Sequence, residues 1–172
     1  MHNTNIVALV GMMGSGKSTL GKILADKLHY KFIDLDTEIE KQAKKTITEI
    51  FDSEGEKKFR ELETDCLKQQ LSSTDKIILA CGGGCFITEE NRENLINKSL
   101  TIYLEASPDT LFSRLEKDKS RPLLQEDGKL KDKIDSILAK RIKYYELADC
   151  KINTDNNNEA EIIAQILSKI NA

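Results

Sequence analysis

A short apolar run, "NIVALV" at 5–10, empties directly into "GMMGSGKSTLG" at 11–21. Gly11, Gly16, Lys17 and Ser18 keep the spacing G-x-x-x-x-G-K-[ST] of a phosphate-binding loop. A helical pattern starts at Lys17 and runs to about 28. Glycines let the backbone curl until several N–H groups point at one centre, and the helix N-terminus adds positive partial charge there. Strand, loop and helix in this register leave little freedom of fold. The residues expected to touch a triphosphate are Gly14, Ser15, Gly16, Lys17, Ser18 and Thr19. Lys17 would reach the β- and γ-phosphates and act in catalysis, and Ser18 would ligate Mg²⁺.

The rest of the chain alternates in the same way. Strand-like runs fall at 5–10, 31–36, 76–80, 100–105 and 149–154. Helical periodicity fills 38–43, 47–51, 56–71, 91–96, 109–117, 133–146 and 159–170. Such alternation predicts an α/β fold, with a central five-stranded parallel sheet flanked by helices on both faces. Ligands then bind at the carboxyl ends of the strands, so the residues just after each strand are those to read for chemistry. The stretch at about 116–128 breaks the pattern. It is charged, weakly periodic and contains Pro122 and Gly128, so it reads as a lid loop.

At 172 residues the chain fits one domain, residues 1–172. Its net charge of −3 and its interspersed cations give no footprint for nucleic acid. No stretch of 18 apolar residues occurs, which predicts no transmembrane helix. The first residues lack a signal-peptide pattern, and the expected location is the cytoplasm. Cys66, Cys81, Cys85 and Cys150 lack structural zinc spacing and are expected to be reduced, packed thiols. His2 and His29 are expected at the surface.

Three further features carry chemistry. Asp34 and Asp36, in "FIDLDTEIE", stand two apart at the end of the second strand-like run. If the strand continues through both, they share a face. One could hold Mg²⁺ through water and the other accept a proton from an attacking hydroxyl. The alternative is a helix N-cap followed by a solvated acid. Gly82, Gly83 and Gly84 follow the third run, and three consecutive glycines suit a ligand lying against the main chain. Arginine is much scarcer than lysine, and Arg60, Arg114, Arg121 and Arg141 stand at notable places. A guanidinium fork suits carboxylate and phosphate groups. Arg121, inside the lid stretch, could neutralise charge on a transferring phosphoryl group.

Taken together, these stretches resemble the shikimate kinase family. The similar segments are "GMMGSGKSTLGK", "FIDLDTEIE", "TITEIFDSEGEKKFRELE", "GGGCF", "RLEKDKSRPLL" and "RIKYYELAD", in the family's order from residue 6 to about 154. The resemblance implies a P-loop kinase fold with a small helical substrate-binding region at about 36–64. It implies transfer of the γ-phosphate of ATP to the 3-hydroxyl of shikimate, on the route to chorismate and aromatic amino acids. By that likeness Lys17, Asp36 and Arg121 are catalytic. Asp34 lies in the Mg²⁺ shell through water beside Ser18. Arg114 lies on the adenine and Arg121 also touches ATP. Asp36, Arg60, Gly82, Gly83, Gly84 and Arg141 bind shikimate. Phe51, Phe59 and Glu63 shape the substrate region. A monomer is the expected state. One departure is His29, where the family often has glycine.

Other readings stay open at this point. A gluconate kinase would need similar chemistry for its polyhydroxy acid. A nucleoside monophosphate kinase would need a base-recognition site, which the sequence does not reveal. A guanine-reading switch would need Asn-Lys-x-Asp, and "INKS" at 96–99 lacks the aspartate.

Overall fold

The computed structural model describes residues 5–116, 130–155 and 157–171. The expected lid at 116–128, with Arg121, lies outside the described residues apart from position 116, as does His2.

Five strands form one parallel sheet in the order β2-β3-β1-β4-β5. They are β1 (Ile6–Val10), β2 (Lys31–Asp34), β3 (Ile77–Ala80), β4 (Leu100–Glu105) and β5 (Cys150–Asn153). The helices are α1 (Lys17–Leu28), α2 (Leu35–Ala43), α3 (Ile47–Leu71), α4 (Glu89–Lys98), α5 (Pro108–Leu115), α6 (Leu130–Tyr145) and α7 (Glu159–Ile170). A 3₁₀ turn at Cys85–Ile87, not foreseen from the sequence, follows the triple glycine.

β1 is buried along its whole length because helices cover both faces of the sheet. Its alternation sorts the core. Val7 and Leu9 point into the layer built with Leu20, Leu24, Ile162 and Ile166 of α1 and α7. Ala8 and Val10 face the larger layer, with Ile39, Leu67, Phe86 and Leu138 from the other helices. Each fully buried Leu or Ile contributes about 1.5–3 kcal/mol of transfer free energy. This two-sided packing fixes the central strand, and with it the loop that leaves its carboxyl end.

Two local differences from the sequence reading bear on the site. β2 does not continue through Asp36. It ends at Asp34, whose carboxylate Oδ1 accepts the Thr37 N–H at 3.3 Å as the N-cap of α2. Helix initiation thus overrides the strand pattern, and Asp36 stands in the first helical turn. The expected break between helical segments is real but narrow. Gly55 (φ 81°, ψ 171°) kinks α3 in a region essentially reserved for glycine. The α3 start is held by a capping box in which Thr46 and Glu49 satisfy each other's backbone N–H. His29, exposed as expected, closes α1 in the left-handed conformation (φ 57°). That geometry explains why glycine suits the position.

Candidate active site

The phosphate loop curls as its spacing demands, with Gly14 (φ 80°) and Gly16 (φ 95°) in conformations closed to most side chains. Lys17 folds back over the loop. Its Nζ donates to the carbonyls of Gly11 at 2.9 Å and Met12 at 2.8 Å. Ser15 is fully buried, whereas Ser18 and Thr19 are exposed. Ser18 Oγ donates to Asp34 Oδ2 at 2.6 Å, so the loop and the cap of α2 are joined.

A cleft of about 300 Å³ opens beside the loop. It is lined by Met13, Gly14, Gly16, Lys17, Ser18, Thr19, Asp34, Asp36, Cys81, Gly82 and Gly83. A second cavity, of about 420 Å³, lies on the other side of the same loop and includes Gly14, Ser15, Gly16, Thr19, Arg114, Thr154 and Asn157. Arg114 forms part of its wall. Its guanidinium donates to Gly14 O (3.2 Å), Thr154 Oγ1 (3.2 Å) and Thr154 O (3.1 Å), which clamps α5 to the loop and to the end of β5.

The triple glycine meets a different side chain at each position. A Cβ on Gly82 would stand 2.6 Å from Asp36 Oδ1. On Gly83 it would stand 3.3 Å from the Met13 nitrogen and 3.5 Å from Arg141 Nη1. On Gly84 it would stand 2.7 Å from both terminal nitrogens of Arg60. Contacts below 3.0 Å do not occur for real Cβ atoms without displacement, so a side chain at Gly82 or Gly84 would push the Asp36 carboxylate or the Arg60 guanidinium aside. The glycines therefore make room for protein groups.

Arg60 is held before any ligand arrives. Nη1 donates to Glu63 at 2.9 Å, Nη2 to Glu56 at 3.3 Å, and the guanidinium lies 5.1 Å from the Phe59 ring centroid. Burial works against its charge, but Glu63 and Glu56 outweigh that and hold its pKa above the ordinary value. Glu63 is only 1% exposed. Burial raises its pKa, Arg60 opposes the rise, and the nearby Asp36 charge adds to it. Phe51 packs on Phe59 with ring centroids 4.9 Å apart, bridging the kink in α3.

Arg141, from α6, donates through Nη1 to the Gly83 carbonyl at 3.1 Å. The same oxygen accepts the Tyr145 hydroxyl at 2.5 Å. The structure thus gathers Lys17, Ser18, Asp34, Asp36, Arg60, Gly82, Gly83, Gly84 and Arg141 around one region, with Arg114 across the loop. Tyr145, Cys81 and Met13 join them without having been singled out. For Tyr145 a signal existed, because it stands one helical turn after Arg141. Cys66, Cys81 and Cys85 are buried free thiols and Cys150 is half-buried, as packed reduced cysteines should be.

This fold and site define a phosphate-loop kinase of small molecules. The family model described as shikimate kinase matches residues 13–171. A shikimate kinase from Alkaliphilus oremlandii is 43% identical over 166 residues, spanning 95% of this chain and 98% of its own. The solved shikimate kinase from Acinetobacter baumannii in complex with shikimate superposes with a TM-score of 0.89 at 36% identity, covering 98% of this chain and 94% of that one. The chain belongs to the shikimate kinase family. A gluconokinase from Sinorhizobium meliloti, at 17% identity and a TM-score of 0.62, shares the fold alone.

Proposed function

We propose that this chain phosphorylates shikimate with ATP, giving shikimate 3-phosphate and ADP on the route to chorismate and aromatic amino acids. The observation that carries the reading is the triple-glycine turn. Within three residues it faces one carboxylate, Asp36, and two guanidinia, Arg60 and Arg141. A small hydroxylated carboxylic acid needs that combination: paired cations for its carboxylate and an acid for its hydroxyl.

In this reading Arg60 and Arg141 hold the shikimate carboxylate. Asp36 accepts a hydrogen bond from the 3-hydroxyl and takes its proton as transfer proceeds. The loop from Gly14 to Thr19 holds the phosphates, and Lys17 exchanges its carbonyl partners for phosphate oxygens. Arg114 packs on the adenine in the second cavity. Phosphoryl transfer asks mainly for alignment and charge stabilisation, and Arg60, already held by Glu63 and Glu56, supplies alignment. The Ser18–Asp34 pair suits Mg²⁺, which prefers few protein ligands and several waters. No cluster of three or more His, Cys, Asp or Glu competes for a metal among the described residues. When bound, Mg²⁺ would offset triphosphate charge, with Ser18 as direct ligand and Asp34 acting through water. Among the described residues no helix is long and apolar enough to cross a membrane.

A coupled assay of ADP release tests the reading. Release should require both shikimate and Mg²⁺, and gluconate should not substitute. Turnover with gluconate but none with shikimate would overturn it.

A further inference from the structure

We infer that Tyr145 is a positioning residue of the acceptor site, fixing through the Gly83 carbonyl the turn against which Arg141, Asp36 and Arg60 are placed. This rests on the function proposed above.

Tyr145 and Arg141 stand one turn apart on α6 and donate to the same carbonyl oxygen, at 2.5 and 3.1 Å. A carbonyl has two lone pairs, and these two bonds use both. The Tyr145 ring is fully buried and stacks on Tyr103 of β4, with centroids 5.2 Å apart and planes 24° apart. Its hydroxyl is therefore delivered from a buried helix position braced against the sheet. Burial also raises its pKa, so it remains a donor at neutral pH.

The shared oxygen solves a conflict. Arg141 has five N–H donors, and the bond to Gly83 engages Nη1. When a carboxylate approaches, Arg141 can turn toward it only if the turn does not follow. Tyr145 keeps Gly83 in place while Arg141 reorients. Gly82 and Gly84 flank that carbonyl and lie against Asp36 and Arg60, so a shift at Gly83 would reach both.

Tyr145→Phe keeps the ring and its stack and removes only the donor. The expected result is a rise of about three- to tenfold in shikimate KM, the size of one lost neutral hydrogen bond. kcat should fall alongside, because the same turn places Asp36, whereas the ATP KM should stay close to wild type and checks that the fold survives. In an Arg141→Lys background the same change should alter shikimate KM by a different factor than in wild type, because the two side chains share one acceptor and interact directly. An unchanged shikimate KM in Tyr145→Phe, with only a lower melting temperature, would assign Tyr145 to packing and overturn the inference. Full additivity with Arg141→Lys would do the same. A wild-type enzyme inactive on shikimate would instead defeat the parent reading, so the two failures are told apart.

Discussion

Ser18 and Asp34 are joined by a 2.6 Å hydrogen bond, and the other oxygen of Asp34 caps the helix that carries Asp36. One carboxylate thus ties the phosphate loop to the acceptor side of the cleft. Its two duties can be separated. Asparagine caps a helix about as well as aspartate. Asp34→Asn should therefore leave the melting temperature nearly unchanged but raise the Mg²⁺ concentration needed for half-maximal activity. Asp34→Ala should in addition lose ~1 kcal/mol of stability by denaturant unfolding. An unaltered Mg²⁺ dependence in Asp34→Asn would remove Asp34 from the metal's surroundings.

Asp36→Asn should lower kcat by about 10²–10⁴-fold, the usual range for a general base, while ATP binding measured by calorimetry stays close to wild type. Gly82→Ala should lower kcat by a smaller factor, because its Cβ makes the Asp36 carboxylate shift without removing it. Steady-state kinetics on both variants check the pair. Retained turnover in Asp36→Asn would mean that alignment alone drives transfer.

Arg60→Ala mixes two effects. On the proposed reading it removes a carboxylate clamp, worth ~1.5–3 kcal/mol and so about tenfold or more in shikimate KM. It also strands the buried Glu63, which lowers stability. Adding Glu63→Gln should restore much of the melting temperature but none of the KM. A double variant that regains normal shikimate KM would show that Arg60 acts only as a structural partner.

How much of this was readable in the chain depends on distance along it. The phosphate loop is a contiguous motif, so its residues were legible and fell where expected. The alternation gave the five parallel strands because β1, β3 and β4 are buried and the helices between them have regular periodicity. The strand-like run at 31–36 overran, since Asp34 both ends β2 and caps α2, the N-cap alternative left open by the sequence. Gly82–Gly84 announced themselves by composition, but their partners could be paired only in three dimensions. The Tyr145 contact with Gly83 spans 62 positions, and no local pattern encodes it.

Glu63 sets a pH dependence. Its folded-state pKa lies above the unfolded value because burial outweighs the pull of Arg60. The folded state then binds the proton more tightly, so this contribution is full below the unfolded pKa and is lost as pH rises through the folded one. Glu63→Gln carries no such loss. Its melting temperature relative to wild type should therefore improve as pH rises above the ordinary carboxylate range. A constant difference would mean that the pull of Arg60 cancels the cost of burying the Glu63 carboxyl.

Arg114→Ala should act on the nucleotide side only. It unclamps α5 from Gly14 and Thr154 and opens a wall of the second cavity. The expected result is an ATP KM raised by about tenfold, as for loss of a charged hydrogen-bond donor, with shikimate KM within about twofold of wild type. A rise in shikimate KM instead would place Arg114 on the acceptor.

The triple glycine has a consequence for inhibition. At Gly82 and Gly84 the space for even one methyl group is already taken by Asp36 and Arg60. An inhibitor seated against this turn would face a wall where any added side chain must first displace Asp36 or Arg60. Escape variants should therefore arise at the rim of the cleft, and a compound that draws its affinity from the turn itself would leave them few routes.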